Sequence, residues 1–218
     1  MLESHAGLHA DHPEEPLPMN VSTIDPLLHR ESNHGVAPMF VRRWSPRAMT
    51  GEAVSDTDLH RLLEAARWAP SSYNEQPWRI VYAKRDTPAF KALFDGLVEF
   101  NQLWCTNAAA LLVFCCSEKH AHNGETNTAA QFDTGSAWMS LALQASMMNL
   151  VAHGMVGFDF EKIAKAVKLP KDHKVIAMAA IGKPGDVSVL PEGGIRDKEK
   201  PNSRKALNET MFEGAFPS

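Results

Sequence analysis

Arg42-Arg43-Trp44-Ser45-Pro46-Arg47 places three guanidiniums within six residues, beside a hydroxyl donor and with no acid among them. Arginine forks grip phosphate and carboxylate oxygens through paired N–H groups, so the string suits an anionic ligand. Read alone, it also fits a basic surface turn. A second stretch, from Ala69 to Trp78, sets Ser71, Ser72, Asn74 and Gln76 between Pro70 and Pro77. Four hydrogen-bonding side chains at a helix-to-strand junction describe either a ligand loop or turn chemistry alone. Histidines offer less. His5, His9 and His12 match no ligand spacing, and His120 and His122 stand at i,i+2 in a polar run without a third ligand. They read as loop residues, and no metal site is expected. His153 is expected just beyond a long helix, where a cation complements the dipole. No G-x-G-x-x-G after a strand, no P-loop, no H-E-x-x-H and no G-x-S-x-G occurs, which removes the usual support for Rossmann, P-loop, zinc-protease and hydrolase chemistry.

The chain that must position these groups has 218 residues, 44% of them hydrophobic and 22% charged. That is enough for a full core and predicts an ordered protein. A net charge of −4 leaves no basic excess for a nucleic-acid backbone. The longest apolar run, Ala108 to Cys116, falls far short of the roughly 20 residues of a membrane helix. No basic segment leads into an apolar stretch at the start, and Cys105, Cys115 and Cys116 form no C-x-x-C pair. A cytoplasmic protein with reduced thiols, binding neither nucleic acid nor membrane, is the expectation.

Charge divides the chain. Residues 1–40 carry Glu3, Asp11, Glu14, Glu15, Asp25 and Glu31 against the single Arg30, with Pro13, Pro16, Pro18 and Pro26 interspersed. So polar and interrupted a segment has little apolar surface to offset its ordering entropy, and reads as an acidic, partly mobile arm with a short helix between Ile24 and Val41. Residues 41–218 read as one domain ending in an extended tail. Ser55-Asp56-Thr57-Asp58 opens a helix through Leu59, Leu62, Leu63 and Ala66 that stops near Ala69-Pro70. Trp78 to Lys84, Ala109 to Cys116 and Lys174 to Gly182 read as strands. Pro88 to Trp104, Asp133 to Val151 and Phe160 to Val167 read as helices, the second apolar all round and therefore buried. Helices around a central sheet, α+β or α/β, are predicted.

The R-W-S-P-R-A string, the helix ending A-R-W-A-P-S-S, the N-x-Q-P-W entry to a strand and the later V-G-F-D segment together resemble the flavin-dependent nitroreductase family. The likeness runs from about Arg42 to Phe212. It implies an α+β fold with a mixed or antiparallel sheet flanked by helices, and an intertwined homodimer with FMN at the interface. It also implies NAD(P)H as electron donor and a small-molecule acceptor such as a nitroaromatic or quinone, served by a ping-pong route. By the same resemblance, Arg43, Ser45 and Arg47 match a segment that binds the phosphate and the flavin pyrimidine edge, and Trp44 a position whose main chain lies along the cofactor. Pro70, Ser71, Ser72 and Asn74 match a loop from the other subunit that touches the ring and ribityl chain. Asn101 matches a further ribityl or ring contact, Val156, Gly157 and Phe158 a segment facing the flavin near N5, and Arg204 a late phosphate-binding arginine.

Chemistry supports these placements: a phosphate dianion needs cations such as Arg43 and Arg204, and negative charge developing on a flavin needs one such as Arg47. Glycine at 157 admits close approach to a planar ring. The flavin carries the redox chemistry, so no catalytic side chain is required beyond Arg47 as electrostatic support. Trp104 stands where several relatives have lysine, and Asn202 where many are basic. A flavin-binding sensory protein, or a specialised flavin dehydrogenase or dehalogenase, is the alternative reading.

Overall fold

The computed structural model describes residues 24–217. Trp78–Lys84 (β1), Ala110–Ser117 (β2), Val151–Met155 (β3) and His173–Gly182 (β4) form one sheet in the order β1-β2-β4-β3, antiparallel at every pairing. The fold is α+β. Around the sheet lie Pro38–Arg42 (α1), Asp56–Arg67 (α2), Pro88–Phe94 (α3), Glu99–Cys105 (α4), Ala130–Met147 (α5), Phe160–Ala166 (α6) and Gly194–Asp197 (α7).

The unbroken apolar run of β2 follows from its central place, with both faces covered. Leu112 and Phe114 point into a core with Leu59, Leu62 and Ala66 of α2 and Ala137, Leu141 and Ala145 of α5. Leu111, Val113 and Cys115 point the other way, against Phe90 and Leu93 of α3, Trp104 and Cys105 of α4 and Ile163 of α6. Alternation along one strand thus feeds two cores, each contributing the transfer free energy of its buried apolar area, about 25 cal/mol per Å². Ser55 Oγ accepts the Asp58 N–H at 3.0 Å and starts α2 where the capping pattern placed it.

Three elements differ from expectation. The helix expected over Pro88 to Trp104 is two, because the chain between them forms the isolated bridge Leu97↔Phe158. Val98 N–H donates to Gly157 O at 3.1 Å and Gly96 O accepts from Asp159 N–H at 2.8 Å, which diverts the backbone from the helical ladder. The helix expected over Asp133 to Val151 is α5, which starts earlier and gives way at Asn149, whose φ of 55° is left-handed, to β3. A short strand containing His153 and Gly154 carries little period-2 signal. Gly154 is needed there, since a Cβ would meet Trp138 Cζ2 of α5 at 2.9 Å. Finally, α5 is not buried all round: Phe132 is 80% exposed, and Met139 and Met147 also reach solvent. The tail after β4 is irregular apart from α7 and single turns at Val187–Val189 and Leu207–Glu209. The short helix expected between Ile24 and Val41 is α1, preceded by a turn at Pro26–Leu28. The mobility expected for the start of the arm, and His5, His9 and His12, lie outside the described residues. Among those described, no helix is long and apolar enough to cross a membrane.

Candidate functional site

The segment after α1 is extended and pinned from both sides. Gly185 N–H donates to Ala48 O at 3.0 Å and Thr50 N–H to Lys183 O at 3.1 Å, tying it to the exit of β4. From beneath, Glu199 Oε1 accepts the main-chain N–H groups of Arg47 at 2.5 Å and Ala48 at 2.8 Å. These contacts fix Arg47, Ala48 and Thr50, at the end of the row Arg43, Trp44, Ser45 and Arg47. Trp44 lines a small recess with Ile24, Pro46 and Glu199.

Arg43 donates from Nη1 to Ser45 Oγ at 3.2 Å. Beside it stands Arg30, which reading the sequence assigned to the acidic arm. Its guanidinium donates to Val41 O at 2.9 Å, Arg43 O at 2.8 Å and Asn202 O at 2.8 Å, binding three segments together. Arg204 is exposed and donates to Ser203 O at 2.9 Å. Burial first, and then the positive charge of Arg204, hold Arg30 and Arg43 below the ordinary arginine pKa, with Arg43 also acting on Arg30. None of the three forms an ion pair among the described residues. Three guanidiniums close enough to repel, none of them ion-paired among the described residues, are candidates for holding an anion. Nothing local in the sequence marked Arg30, since its partners are carbonyls far along the chain.

Arg47 differs. Its Nη1 lies 3.7 Å from Glu199 Oε2, while its Nε is buried without a hydrogen-bond partner. One cationic atom is therefore left for an acceptor the protein does not supply. Sequence reading missed Glu199, which sits in a run of alternating charges, Asp197-Lys198-Glu199-Lys200, that marks no member as buried.

His153 is on β3, not at a helix end. Its Nδ1 meets Pro46 O at 3.0 Å and its ring lies 4.5 Å from that of Trp104. Burial lowers its pKa to about 4, assisted by the Arg47 and Arg43 charges and opposed by the bond to Pro46. The neutral ring therefore carries its proton on Nδ1. A cationic role at a helix terminus is excluded, because the strand buries the side chain beside two arginines.

Trp104 Nε1–H donates to Asn101 Oδ1 at 3.2 Å, and Asn101 Nδ2–H donates to Gly157 O at 2.9 Å. A Cβ at Gly157 would meet Asn101 Nδ2 at 2.6 Å, so Asn101 itself requires glycine there. Asn101 thus holds the turn of Val156, Gly157 and Phe158 from below. Val156 is exposed, whereas Phe158 is buried with its ring 4.3 Å from that of Phe160. Through Trp104 and His153 this turn is physically continuous with Pro46 and Arg47.

The loop after α2 has its own anchors. Tyr73, Asn74 and Gln76 adopt left-handed φ of 52°, 55° and 50°, with Glu75 right-handed between them, and Tyr73 is almost fully exposed. Ser71 Oγ accepts from Gln76 N–H at 3.0 Å, and Ser72 N–H donates to the buried Asp133 of α5 at 3.1 Å. Pro70 and Asn74 face solvent. Among the described residues, no hydrogen bond or ion pair joins this loop to Arg43, Arg47 or Arg204. Its anchor is Glu75, which accepts Ala121 N–H and faces both His120 and His122. A carboxylate that the sequence does not place beside those histidines is brought to them by the fold.

Fold and site together define an α+β protein with a guanidinium cradle beside its antiparallel sheet. The nitroreductase family model matches residues 41–95 and 85–183, and the chain belongs to that family. A solved structure described as an oxidoreductase containing FMN is 39% identical, with a TM-score of 0.83 over 86% of this chain and 96% of that one. A solved nitroreductase family protein from Clostridium difficile, 19% identical with a TM-score of 0.63, covers 82% of this chain and 97% of its own and shares the fold. An uncharacterized 15.4 kDa protein of Mycolicibacterium smegmatis is 31% identical over 121 residues, 56% of this chain and 80% of that one. A putative NADH dehydrogenase/NAD(P)H nitroreductase of Archaeoglobus fulgidus is 27% identical over 152 residues, 68% of this chain and 84% of that one.

Proposed function

We propose that this protein is a homodimeric, FMN-dependent oxidoreductase that takes hydride from NAD(P)H and passes electrons to a small acceptor such as a nitroaromatic or quinone, by a ping-pong route. The observation that carries this reading is the trio Arg30, Arg43 and Arg204, mutually repelling and without a carboxylate counter-charge among the described residues. A phosphate monoester supplies the missing negative charge. The partnerless Nε of Arg47 fits an acceptor on the same ligand. The similarity to a solved oxidoreductase containing FMN supports the choice of ligand.

When bound, FMN supplies the redox chemistry, accepting and donating hydride. The chain's own residues bind, orient and tune. Arg43 and Arg204 hold the phosphate, and Ser45, fixed by Arg43, adds a hydroxyl. Arg47 directs positive charge at the electron-rich edge of the ring, tempered by Glu199. The Val156-Gly157-Phe158 turn, held by Asn101, would present backbone to the ring, and the Trp44 main chain would run along it. No side-chain acid or nucleophile is required.

The loop Pro70, Ser71, Ser72 and Asn74 completes the site from the partner subunit. The absence, among the described residues, of any hydrogen bond or ion pair from this loop to the arginines of the same chain supports that arrangement, as do the exposed apolar side chains of α5 at Phe132, Met139 and Met147. The first test is the absorbance spectrum of the purified protein. Two visible flavin bands are expected, and a colourless protein that ignores added FMN overturns the reading. Co-expressing an Arg43→Ala/Arg204→Ala chain with an Asn74→Ala chain tests the shared site. Mixed dimers then contain one doubly damaged and one intact site, so up to half their sites retain normal FMN affinity. Uniformly impaired sites in mixed dimers place all the ligands in a single chain.

A further inference from the structure

Away from the arginine cradle, three side chains from two distant segments converge. Glu75 follows the left-handed turn Tyr73-Asn74, while His120 and His122 lie in the loop that the Lys119↔Thr126 bridge closes. That loop is internally braced: His120 N–H donates to Glu125 O at 2.8 Å and Gly124 N–H to His120 O at 2.9 Å, with Gly124 at φ +73°. The side chain of Glu75 is only 10% exposed. Its Oε1 is occupied by Ala121 N–H at 2.5 Å, which leaves Oε2 directed at both imidazoles. His120 Nδ1 stands 3.4 Å from Oε2 and His122 Nδ1 3.6 Å. All three ligand atoms lie within 4.8 Å of one another.

These distances are long for hydrogen bonds, which for N–H···O peak near 2.9–3.0 Å. They are close to the edge of a coordination tetrahedron. Ligands at about 2.0–2.1 Å from a tetrahedral ion are separated by roughly 3.3–3.4 Å. We propose that Glu75, His120 and His122 bind one divalent transition-metal ion of the zinc class, with water at a fourth position. Two imidazole nitrogens and one carboxylate oxygen are borderline donors that suit Zn²⁺ over Mg²⁺ or Ca²⁺, which take oxygen ligands. The ion would clamp the Ser71–Gln76 turn onto the 119–126 loop. The site stands on this ligand geometry alone and does not depend on the flavin reading.

The test is calorimetric titration of the full chain, as purified and freed of metal by chelator, with Zn²⁺ alone. Glu75→Gln and His122→Asn are titrated in parallel. His122 is exposed, so its replacement leaves folding intact, which the melting temperature without metal verifies. The chain holds 10 histidines, several of them in the N-terminal arm, so the difference between wild type and variants is decisive rather than total uptake. One equivalent per chain is expected in the wild type, with binding at that site weakened at least tenfold in either variant, since even ligand-orienting residues cost about 10–100-fold when lost. Zn²⁺ should also raise the melting temperature of the wild type and not of His122→Asn. Equal stoichiometry and affinity in all three proteins, or no uptake by the wild type at micromolar Zn²⁺, overturns the proposal.

Discussion

Glu199 lies directly under Arg47: one carboxylate oxygen accepts the Arg47 and Ala48 main-chain N–H groups, and the other stands 3.7 Å from the Arg47 guanidinium. The acid fixes the backbone of the cationic row and offsets part of the charge that row presents. The two residues should therefore act on a bound flavin in opposite directions. Arg47→Ala lowers the midpoint potential, because it removes a cation worth on the order of 3 kcal/mol to a developing anion. Glu199→Gln keeps an oxygen for the two N–H groups but removes the negative charge, and raises the potential. Potentiometric titration of both variants checks the signs, and shifts of the same sign would place the flavin edge away from Arg47.

Arg204 should separate ligand binding from stability. Removing it relieves repulsion with Arg30 and Arg43, so Arg204→Ala leaves the ligand-free protein equal to the wild type or more stable, by at most about 0.5 kcal/mol for so exposed a charge. FMN affinity falls about tenfold, the cost of one charge-assisted hydrogen bond. Riboflavin, which lacks the phosphate, binds wild type and variant alike. Equal losses for both ligands would put Arg204 somewhere other than at the phosphate.

His153 predicts a defined acid sensitivity. Its pKa is lowered to about 4 in the folded chain, against 6.5 for the unperturbed group. Between those values the unfolded state binds the additional proton, so stability is full above about pH 6.5 and declines as pH falls towards 4. The share due to this residue is about 3 kcal/mol at most. Urea unfolding across that range should show a shallower decline for His153→Asn, whose amide can still donate to Pro46 O. An unchanged slope would assign the acid sensitivity to other groups.

Gly157→Ala sets a methyl group against Asn101 Nδ2. Because Asn101 bridges Trp104 and the Gly157 carbonyl, the clash cannot be relieved without breaking that chain of bonds. Destabilisation of about 1–3 kcal/mol is expected from such overpacking, read from the urea midpoint. A Gly157→Ala protein as stable as the wild type would show that the turn can move away from Asn101.

Much of the architecture was written locally. The run Ala110–Ser117 and the second half of His173–Gly182 are apolar because the fold covers them, Trp78–Lys84 is marked by its β-branched and aromatic residues at the sheet edge, and Ser55 and the Pro70 stop delimit α2 through their own backbone chemistry. The order of short motifs around Arg43, Pro70 and Gly157 was enough to indicate the family. What failed locally was decided by partners distant in sequence. The break between α3 and α4 exists because Phe158 pairs with Leu97, and β3 exists because β4 offers it an edge. Neither residue pattern announces its partner.

The same division holds at the site. Arginine and serine types named Arg43, Ser45 and Arg47 as candidates from the sequence, since anion binding and hydrogen bonding are properties of the side chain itself, whereas Asn101 was named only through the resemblance to the family. Which carbonyl Arg30 ties, that Glu199 is buried under Arg47, that His153 is neutral, and that Glu75 reaches His120 and His122 were settled only by the tertiary structure. Each depends on desolvation or on distance between segments up to 172 residues apart. Charge, pKa and ligand geometry are fixed by surroundings, and a linear chain does not contain its surroundings until it has folded.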